Sequence, residues 1–149
     1  MTQMGWKCYD EGDYSSAFEY WTKAAELGDA MAHSKLALMY HRGEGVEKDE
    51  KKEVYHYEEA AIGGHPIARH KLAVIEMENG RPERAVKHLI IAANVGYEKS
   101  MKELWECYSN GNISKDDLTA TLHTHQAAVD AAKSPQRKAA EEARKRGEF

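Results

Sequence analysis

Apolar and small residues recur along this chain every three to four positions, the spacing that places side chains on one face of an α-helix. Short segments rich in Gly, Asp and Pro interrupt the pattern and are typical of helix ends. No alternation of polar and apolar residues bounded by turns competes with it. The pattern therefore predicts an all-α fold, with helices near residues 3–11, 14–27, 30–42, 50–63, 66–79, 82–95, 98–110 and 115–132.

The predicted helices form pairs that repeat along the chain. The alanine pair Ala24-Ala25 returns as Ala60-Ala61 and Ala92-Ala93, and in weaker form as Ala127-Ala128. The interval of about 34 residues lies within the range of helical repeats. A second series in the same register, Ala32 and Leu36, then Ala68 and Leu72, then Ser100 and Leu104, belongs to the other helix of each pair. The repeating unit is therefore predicted to be an αα-hairpin.

Residue size at fixed positions of the repeat predicts interlocking helix layers. One turn before each alanine pair stands a larger residue that can fill the space between repeats; these residues are Trp21, Tyr57 and Leu89. A glycine follows each pair, at Gly28, Gly64 and Gly96, where it can adopt the left-handed conformation that ends a helix. We expect small residues beside large ones to hold the repeats together.

Several polar residues are predicted to cap helix starts by accepting hydrogen bonds from the first amides. They are Asp13, Asp29, Asp49 and Ser114. Ser134-Pro135 is a similar start signal and predicts a separate last polar helix from about Gln136. The sequence thus divides into a repeat domain over residues 1–133 and a polar capping helix or tail over residues 134–149.

Residues 30–65 combine several specific features. They contain Leu36 and Tyr40, the loop Gly43-Glu44-Gly45-Val46, Asp49, and an ending from Ala60-Ala61 to Gly64. These features resemble a Sel-one-like repeat, the branch of the tetratricopeptide superfamily with a longer loop between its helices. Shorter tetratricopeptide-like loops occur at Gly12-Asp13-Tyr14 and Gly80-Arg81-Pro82. The resemblance covers roughly residues 1–132 and implies a right-handed α-solenoid of about four repeats.

The family geometry implies that the first helix of each repeat lines a concave groove, and that the chain serves as an adaptor or scaffold. Aromatic, apolar and charged positions on that surface would hold a peptide or a partner helix. For Leu38, Ile67 and Val74 the competing interpretation is ordinary core. The implied groove positions are Trp6, Tyr9, Met31, Ser34, Leu38, His41, Arg42, Ile67, His70, Val74, Met77, Glu78, Lys99, Lys102 and Glu106.

The chain departs from the repeat pattern at two positions. Trp105 stands where other units have Gly5, Ala37 or Ala73, so we expect the fourth unit to pack differently. Glu53 stands where other units have alanine. It belongs to the mixed-charge segment 47–53, which is expected to be a solvated helix start.

Composition and charge narrow the function classes. The formal net charge of −4 argues against nucleic acid, because phosphate contacts need surplus Lys and Arg. No apolar stretch is long enough for a membrane span, and the N-terminus does not read as a secretory signal. Cys8 and Cys107 are too distant and too few for a disulfide framework. We therefore predict a cytoplasmic protein.

The eight histidines do not form a metal-binding pattern. On a helix, His123 and His125 would point to different faces, whereas helical metal ligands usually lie four residues apart. No phosphate-binding loop or nucleophile motif is present. We predict no metal site, no cofactor and no enzymatic activity.

The resulting prediction is an interaction module that binds a peptide or helix, as a monomer or with weak self-association through the solenoid ends. The alternative is a structural unit of a larger regulatory protein, since the first helix begins almost at Met1 without a clear cap. The basic residues of the last segment are either a solubilising cap or a dock for an acidic partner. They are Arg137, Lys138, Arg144, Lys145 and Arg146.

Overall fold

The computed structural model describes residues 2–147. Eight α-helices and no strand occur in this part of the chain, as the apolar pattern predicted. The helices are α1 (Thr2–Asp10), α2 (Tyr14–Glu26), α3 (Ala30–Arg42), α4 (Glu50–Ile62), α5 (Pro66–Glu78), α6 (Pro82–Asn94), α7 (Glu98–Ser109) and α8 (Lys115–Lys145).

Helix packing follows the order of the chain. Within the hairpins, α1 packs on α2, α3 on α4 and α5 on α6, while α2 on α3, α4 on α5 and α6 on α7 join one hairpin to the next. Helix α8 packs on α6 and α7. Contacts between successive elements are the mark of a solenoid, in which each repeat touches its neighbours. The predicted α-solenoid is confirmed.

The predicted caps at the starts of α2, α3, α4 and α8 and the predicted glycine helix ends are confirmed. Asp29 accepts hydrogen bonds from the backbone amides of Met31 and Ala32, at 2.9 and 3.3 Å. Asp13, Asp49 and Ser114 accept in the same way at the starts of α2, α4 and α8. Gly28, Gly64 and Gly96 have φ angles of 90°, 87° and 96°, so each ends its helix in the left-handed region.

The core consists of layers of small and large residues between the helices. Trp21, Tyr57 and Leu89 are buried, as are the alanine pairs that follow them. Gly5 of α1 lies against the Trp21 ring so closely that a Cβ atom would collide with it. The pairing of small and large residues therefore sets how closely neighbouring helices approach.

Helix α8 crosses the predicted division of the chain. It runs without interruption from Lys115 to Lys145 with Pro135 inside, so the prediction of a separate last helix was wrong. Proline removes one backbone hydrogen bond, but the Ala, Lys, Arg and Glu residues around it are strong helix formers. The boundary predicted after residue 133 falls inside this helix. Glu148 and Phe149 of the predicted tail lie outside the described residues.

The fourth unit, which consists of α7 and the first part of α8, packs differently from the others. This was expected from the bulky Trp105 at a position where the other units have a small residue. Trp105 is 48% exposed instead of filling a small-residue position. His125 is buried and joins α8 to its neighbours. Its Nδ1 lies 2.8 Å from the Ala93 carbonyl oxygen, and its Nε2 lies 3.0 Å from Glu98 Oε2. His123 is exposed, so the two histidines face different directions, as their spacing predicted.

Candidate interaction groove

Apolar side chains remain exposed along the first helices of successive hairpins. Met31 of α3 is 44% exposed, and Ile67, Val74 and Met77 of α5 are 42%, 39% and 37% exposed. On α5, Val74 lies seven residues after Ile67, and Met77 lies three residues after Val74, so the three side chains share one helix face. The opposite face of α5 carries the buried Ala68 and Leu72 of the core. The helices thus bury one apolar face and leave a second one open.

A cavity of about 240 Å³ lies between α5 and α7, and we call it the central cavity. Four of the predicted groove residues line it: His70, Val74, Met77 and Glu78. Ala73, Leu89 and Glu103 complete its wall. An apolar floor with a few polar groups at its edge is the usual make-up of a protein's binding pockets.

His70 fixes one edge of the central cavity. Its Nδ1 lies 3.1 Å from the hydroxyl of Ser100, which ties α5 to α7. Burial lowers the pKa of His70 below its ordinary value, although the charge of Glu103 acts in the opposite direction. At neutral pH this edge therefore presents an uncharged imidazole.

A cluster of aromatic rings lies at the N-terminal end of the surface formed by the first helices of the hairpins. Trp6 meets Trp21 edge-on with ring centroids 5.7 Å apart, and it meets Tyr9 edge-on at 6.3 Å. Edge-to-face contacts of this kind hold aromatic rings in fixed orientations. Trp6 keeps 37% of its surface exposed, so part of a rigidly held ring faces solvent.

A hydrogen-bonded chain crosses from α1 to the loop after α3. Arg42 donates to the Tyr9 hydroxyl at 2.9 Å, and this hydroxyl donates to Glu44 Oε1 at 3.1 Å. Burial and the hydrogen bond to Glu44 raise the pKa of Tyr9, so its hydroxyl stays protonated. Tyr9 and Arg42 are therefore held in position by contacts within the protein itself.

Lys35 adds a charged group to the same end. Its Nζ lies 4.2 Å from the centre of the Trp6 ring, within the range of a cation–π interaction. Burial lowers the pKa of Lys35, and the charge of Arg42 adds to this effect. Trp6 is thus covered on one side by an ammonium group.

A family model described as Sel1 repeat matches residues 1–29, 30–65 and 66–97, which is more than half of the chain. The chain belongs to the Sel1 repeat family. Sel1 repeats are in general protein–protein interaction modules, and their fold is typically a non-enzymatic scaffold. The second matched range coincides with the long-loop unit identified from its sequence.

Solved structures of Sel1-like repeat proteins resemble most of this chain. A Sel1 repeat protein from Oxalobacter formigenes is 25% identical, with a TM-score of 0.69 over 87% of this chain and 56% of that one. A protective antigen of uropathogenic Escherichia coli with an SLR fold is 21% identical, with a TM-score of 0.68 over 85% of this chain and 30% of that one. This chain thus spans less than two thirds of either protein. No curated protein matches in sequence.

The structure places the predicted groove residues of these Sel1 repeats in three groups. Trp6, Met31, His41, Arg42, Ile67, Val74, Met77, Glu78, Lys99, Lys102 and Glu106 are exposed. Tyr9, Leu38 and His70 are partly buried. Ser34 is only 8% exposed, so little of this predicted groove residue is accessible at the surface. Its small side chain is covered by the packed helices around it.

His41 and Glu53 form a contact that the sequence did not predict. His41 Nδ1 lies 3.0 Å from Glu53 Oε1, and the Glu53 side chain is almost fully buried. Burial raises the pKa of Glu53, while His41 acts to lower it. The expectation of a solvated segment was therefore wrong for Glu53, because the facing helix covers it and supplies a partner.

Two polar residues of the site, Lys35 and Glu103, were not among the predicted groove residues. The repeat register could have identified them. Lys35 and Glu103 occupy the same position in the first helices of their repeats, with Lys71 at that position between them. Lys35 reaches Trp6, and Glu103 lines the central cavity. The repeat position that carries Lys35, Lys71 and Glu103 thus belongs to the polar edge of the groove.

Two other kinds of feature are absent from residues 2–147. No helix in this part of the chain is long and apolar enough to span a membrane. No group of three or more His, Cys, Asp or Glu side chains there is arranged to hold a metal ion.

Proposed function

We propose that this Sel1 repeat protein is a non-enzymatic adaptor or scaffold. It holds a peptide or partner helix along the groove formed by the first helices of its hairpins, α1, α3, α5 and α7, which we call the first-helix groove. The central cavity carries the proposal. It combines the exposed apolar side chains of Val74 and Met77 with carboxylates at Glu78 and Glu103. A partner would insert an apolar side chain between α5 and α7 and place polar groups at the edge.

The N-terminal end of the groove offers a second anchoring point. Trp6 and Arg42 are residue types that contribute strongly to binding, because they bury large areas and also make polar contacts. Their orientation is fixed by Trp21 and Tyr9 before binding, which lowers the entropy cost of association. A ligand that reaches from the central cavity to Trp6 would run along α3, past Met31.

The charge around the groove is mixed. Glu78 and Glu106 provide negative charge, and Lys99 and Lys102 on α7 provide positive charge. Such a rim selects a partner by its charge pattern more than it adds affinity. Cys8 and Cys107 are free thiols, which is compatible with the predicted cytoplasmic location.

A double substitution in the central cavity tests the proposal. Peptides selected against the whole chain from a display library are expected to bind V74A/M77A at least about tenfold more weakly than wild type, because each truncation removes an anchor contact. The matched control is I91A/L122A, which removes apolar side chains of similar exposure from second helices. It is expected to leave the dissociation constant within about twofold of wild type. Isothermal titration calorimetry measures the dissociation constants.

Folding is checked on both variants by thermal unfolding. All four side chains are well exposed, so their truncation should change the stability little. If the selected peptides bind V74A/M77A as tightly as wild type, or lose affinity equally for I91A/L122A, the groove is not the binding surface.

A further inference from the structure

A second cavity, of about 450 Å³, lies between α2, α3 and α4, and we call it the histidine cavity. None of the predicted groove residues lines it, so an inference about it stands apart from the proposed function. Its size falls within the usual range of ligand pockets. Its wall includes Phe18 and Glu26 of α2, Tyr40 of α3, and Tyr55 and Glu59 of α4.

Two histidines form one side of this cavity. The Nδ1 atoms of His33 and His56 are 3.0 Å apart, and the ring centroids are 5.3 Å apart. At these separations the two nitrogens lie close to the line joining the ring centres. This is the geometry of an N–H of one ring pointing at the lone pair of the other. If the two histidines bound one metal ion, the lone pairs of their nitrogens would instead converge on the metal at an angle.

His56 presents an uncharged ring to the cavity at neutral pH. Burial lowers the pKa of His56 to about 4, with further lowering by the charges of His33 and Lys52. The ring of His56 stacks on Tyr40, with centroids 5.7 Å apart and planes 8° from parallel. Tyr55 meets His56 nearly edge-on at 5.0 Å. The rings of this cavity are therefore held in place by one another.

Two carboxylates stand at the cavity without an ion-pair partner. Glu26 and Glu59 line it, and neither forms an ion pair with another residue in the described part of the chain. Lys52 is a nearby cation, with its Nζ 5.5 Å from the centre of the Tyr40 ring. The two carboxylates outnumber this single ammonium group. The cavity thus combines aromatic faces with excess negative charge.

We propose that the histidine cavity binds the guanidinium group of an arginine side chain from a partner protein. A guanidinium is planar, carries five N–H donors and stacks on aromatic rings. It can lie against Tyr40 or Tyr55 while its N–H groups donate to Glu26 and Glu59. The chain would then hold partners on two separate surfaces, the first-helix groove and this cavity.

Titration with model compounds tests the proposal. The probes are N-acetyl-L-arginine N-methylamide and its neutral analogue, N-acetyl-L-citrulline N-methylamide. They are added to the whole chain, and the ring resonances of His33, His56 and Tyr40 are followed by NMR. The arginine compound is expected to shift these resonances in a saturable way, and the citrulline compound is not. Free L-arginine is expected to bind no more tightly than the blocked compound, since the site takes a side chain within a protein.

Charge variants provide the second part of the test. E26Q/E59Q is expected to bind the arginine compound at least about fivefold more weakly, as for a partly exposed ion pair. E19Q/E58Q is the matched control, because it removes two exposed carboxylates from the same helices outside the cavity. It should retain wild-type binding. K52Q removes the competing ammonium group and is expected to tighten binding, which tests the proposal independently of the carboxylate variants.

Three results would overturn the proposal. They are an equal response to the citrulline compound, unchanged binding by E26Q/E59Q, and tighter binding of free L-arginine than of the blocked compound. Unfolding midpoints of E26Q/E59Q and E19Q/E58Q identify any loss of binding that comes from loss of structure.

Discussion

The histidines of this chain differ in how strongly the fold opposes their protonation. His56 is the clearest case, because burial lowers its pKa to about 4 and its Nδ1 faces that of His33. Burial also lowers the pKa of His65, His70 and His88. An unfolded chain takes up protons at these groups near pH 6.5. Acidification is therefore expected to favour the unfolded state through these residues.

The contribution of His56 to pH dependence can be isolated by substitution. Between about pH 6.5 and about pH 4 the unfolded chain binds a proton at His56 that the folded chain does not, so the free energy of unfolding falls as the pH falls. We expect H56Q to lose less stability than wild type between about pH 7 and about pH 4.5. Urea unfolding at the two pH values measures the difference.

H123Q is the control for this experiment, because His123 is exposed on α8. It is expected to lose as much stability on acidification as wild type. Equal losses in H56Q and wild type would contradict the assignment of this pH dependence to His56.

Residue-level features were predictable where they depend on neighbours in sequence. The capping by Asp29 and the left-handed Gly28 follow from local backbone chemistry, and the register of the repeat placed Trp21 in the core. The burial of Ser34 and Glu53 was not predictable in this way, because it depends on which side chains of neighbouring helices cover them. The same holds for the meeting of His33 and His56 from different helices.

At the scale of elements, α8 differs from the other helices in both length and role. It is 31 residues long, whereas α2 to α6 each have 13. Its first part closes the fourth hairpin, where His125 contacts Ala93 of α6 and Glu98 of α7. Pro135 was misread as a helix start, because the local signal of Ser-Pro does not report the helix-forming strength of the residues on both sides.

The role of His125 in docking α8 can be measured by alanine substitution. H125A is expected to lower the free energy of unfolding by about 1–3 kcal/mol, because it truncates a buried side chain and removes its hydrogen bond to the Ala93 carbonyl oxygen. The matched change H123A, two residues away on the exposed side of the helix, should stay within about 0.5 kcal/mol of wild type. Equal effects of the two substitutions would show that α8 is not held by this contact. Chemical denaturation of both variants provides the values.

At the scale of the whole molecule, the repeats place similar positions side by side along one surface. The sequence predicted this arrangement, since the register of the alanine pairs and the long-loop unit coincide with matched Sel1 repeats. It did not predict the central cavity, whose shape depends on how far α5 and α7 stand apart over Leu89. A solenoid groove is thus predictable as a surface, while its pockets depend on the spacing between repeats.

Site-specific photo-crosslinking tests the central claim of partner binding in the groove most directly. A photoreactive phenylalanine analogue is placed singly at Met31, Val74 or Ile91, positions that are 44%, 39% and 44% exposed. After irradiation in a native extract, the account predicts that positions 31 and 74 crosslink to the same partner protein and that position 91, on a second helix, does not. A partner that crosslinks from position 91 and from neither groove position would contradict it.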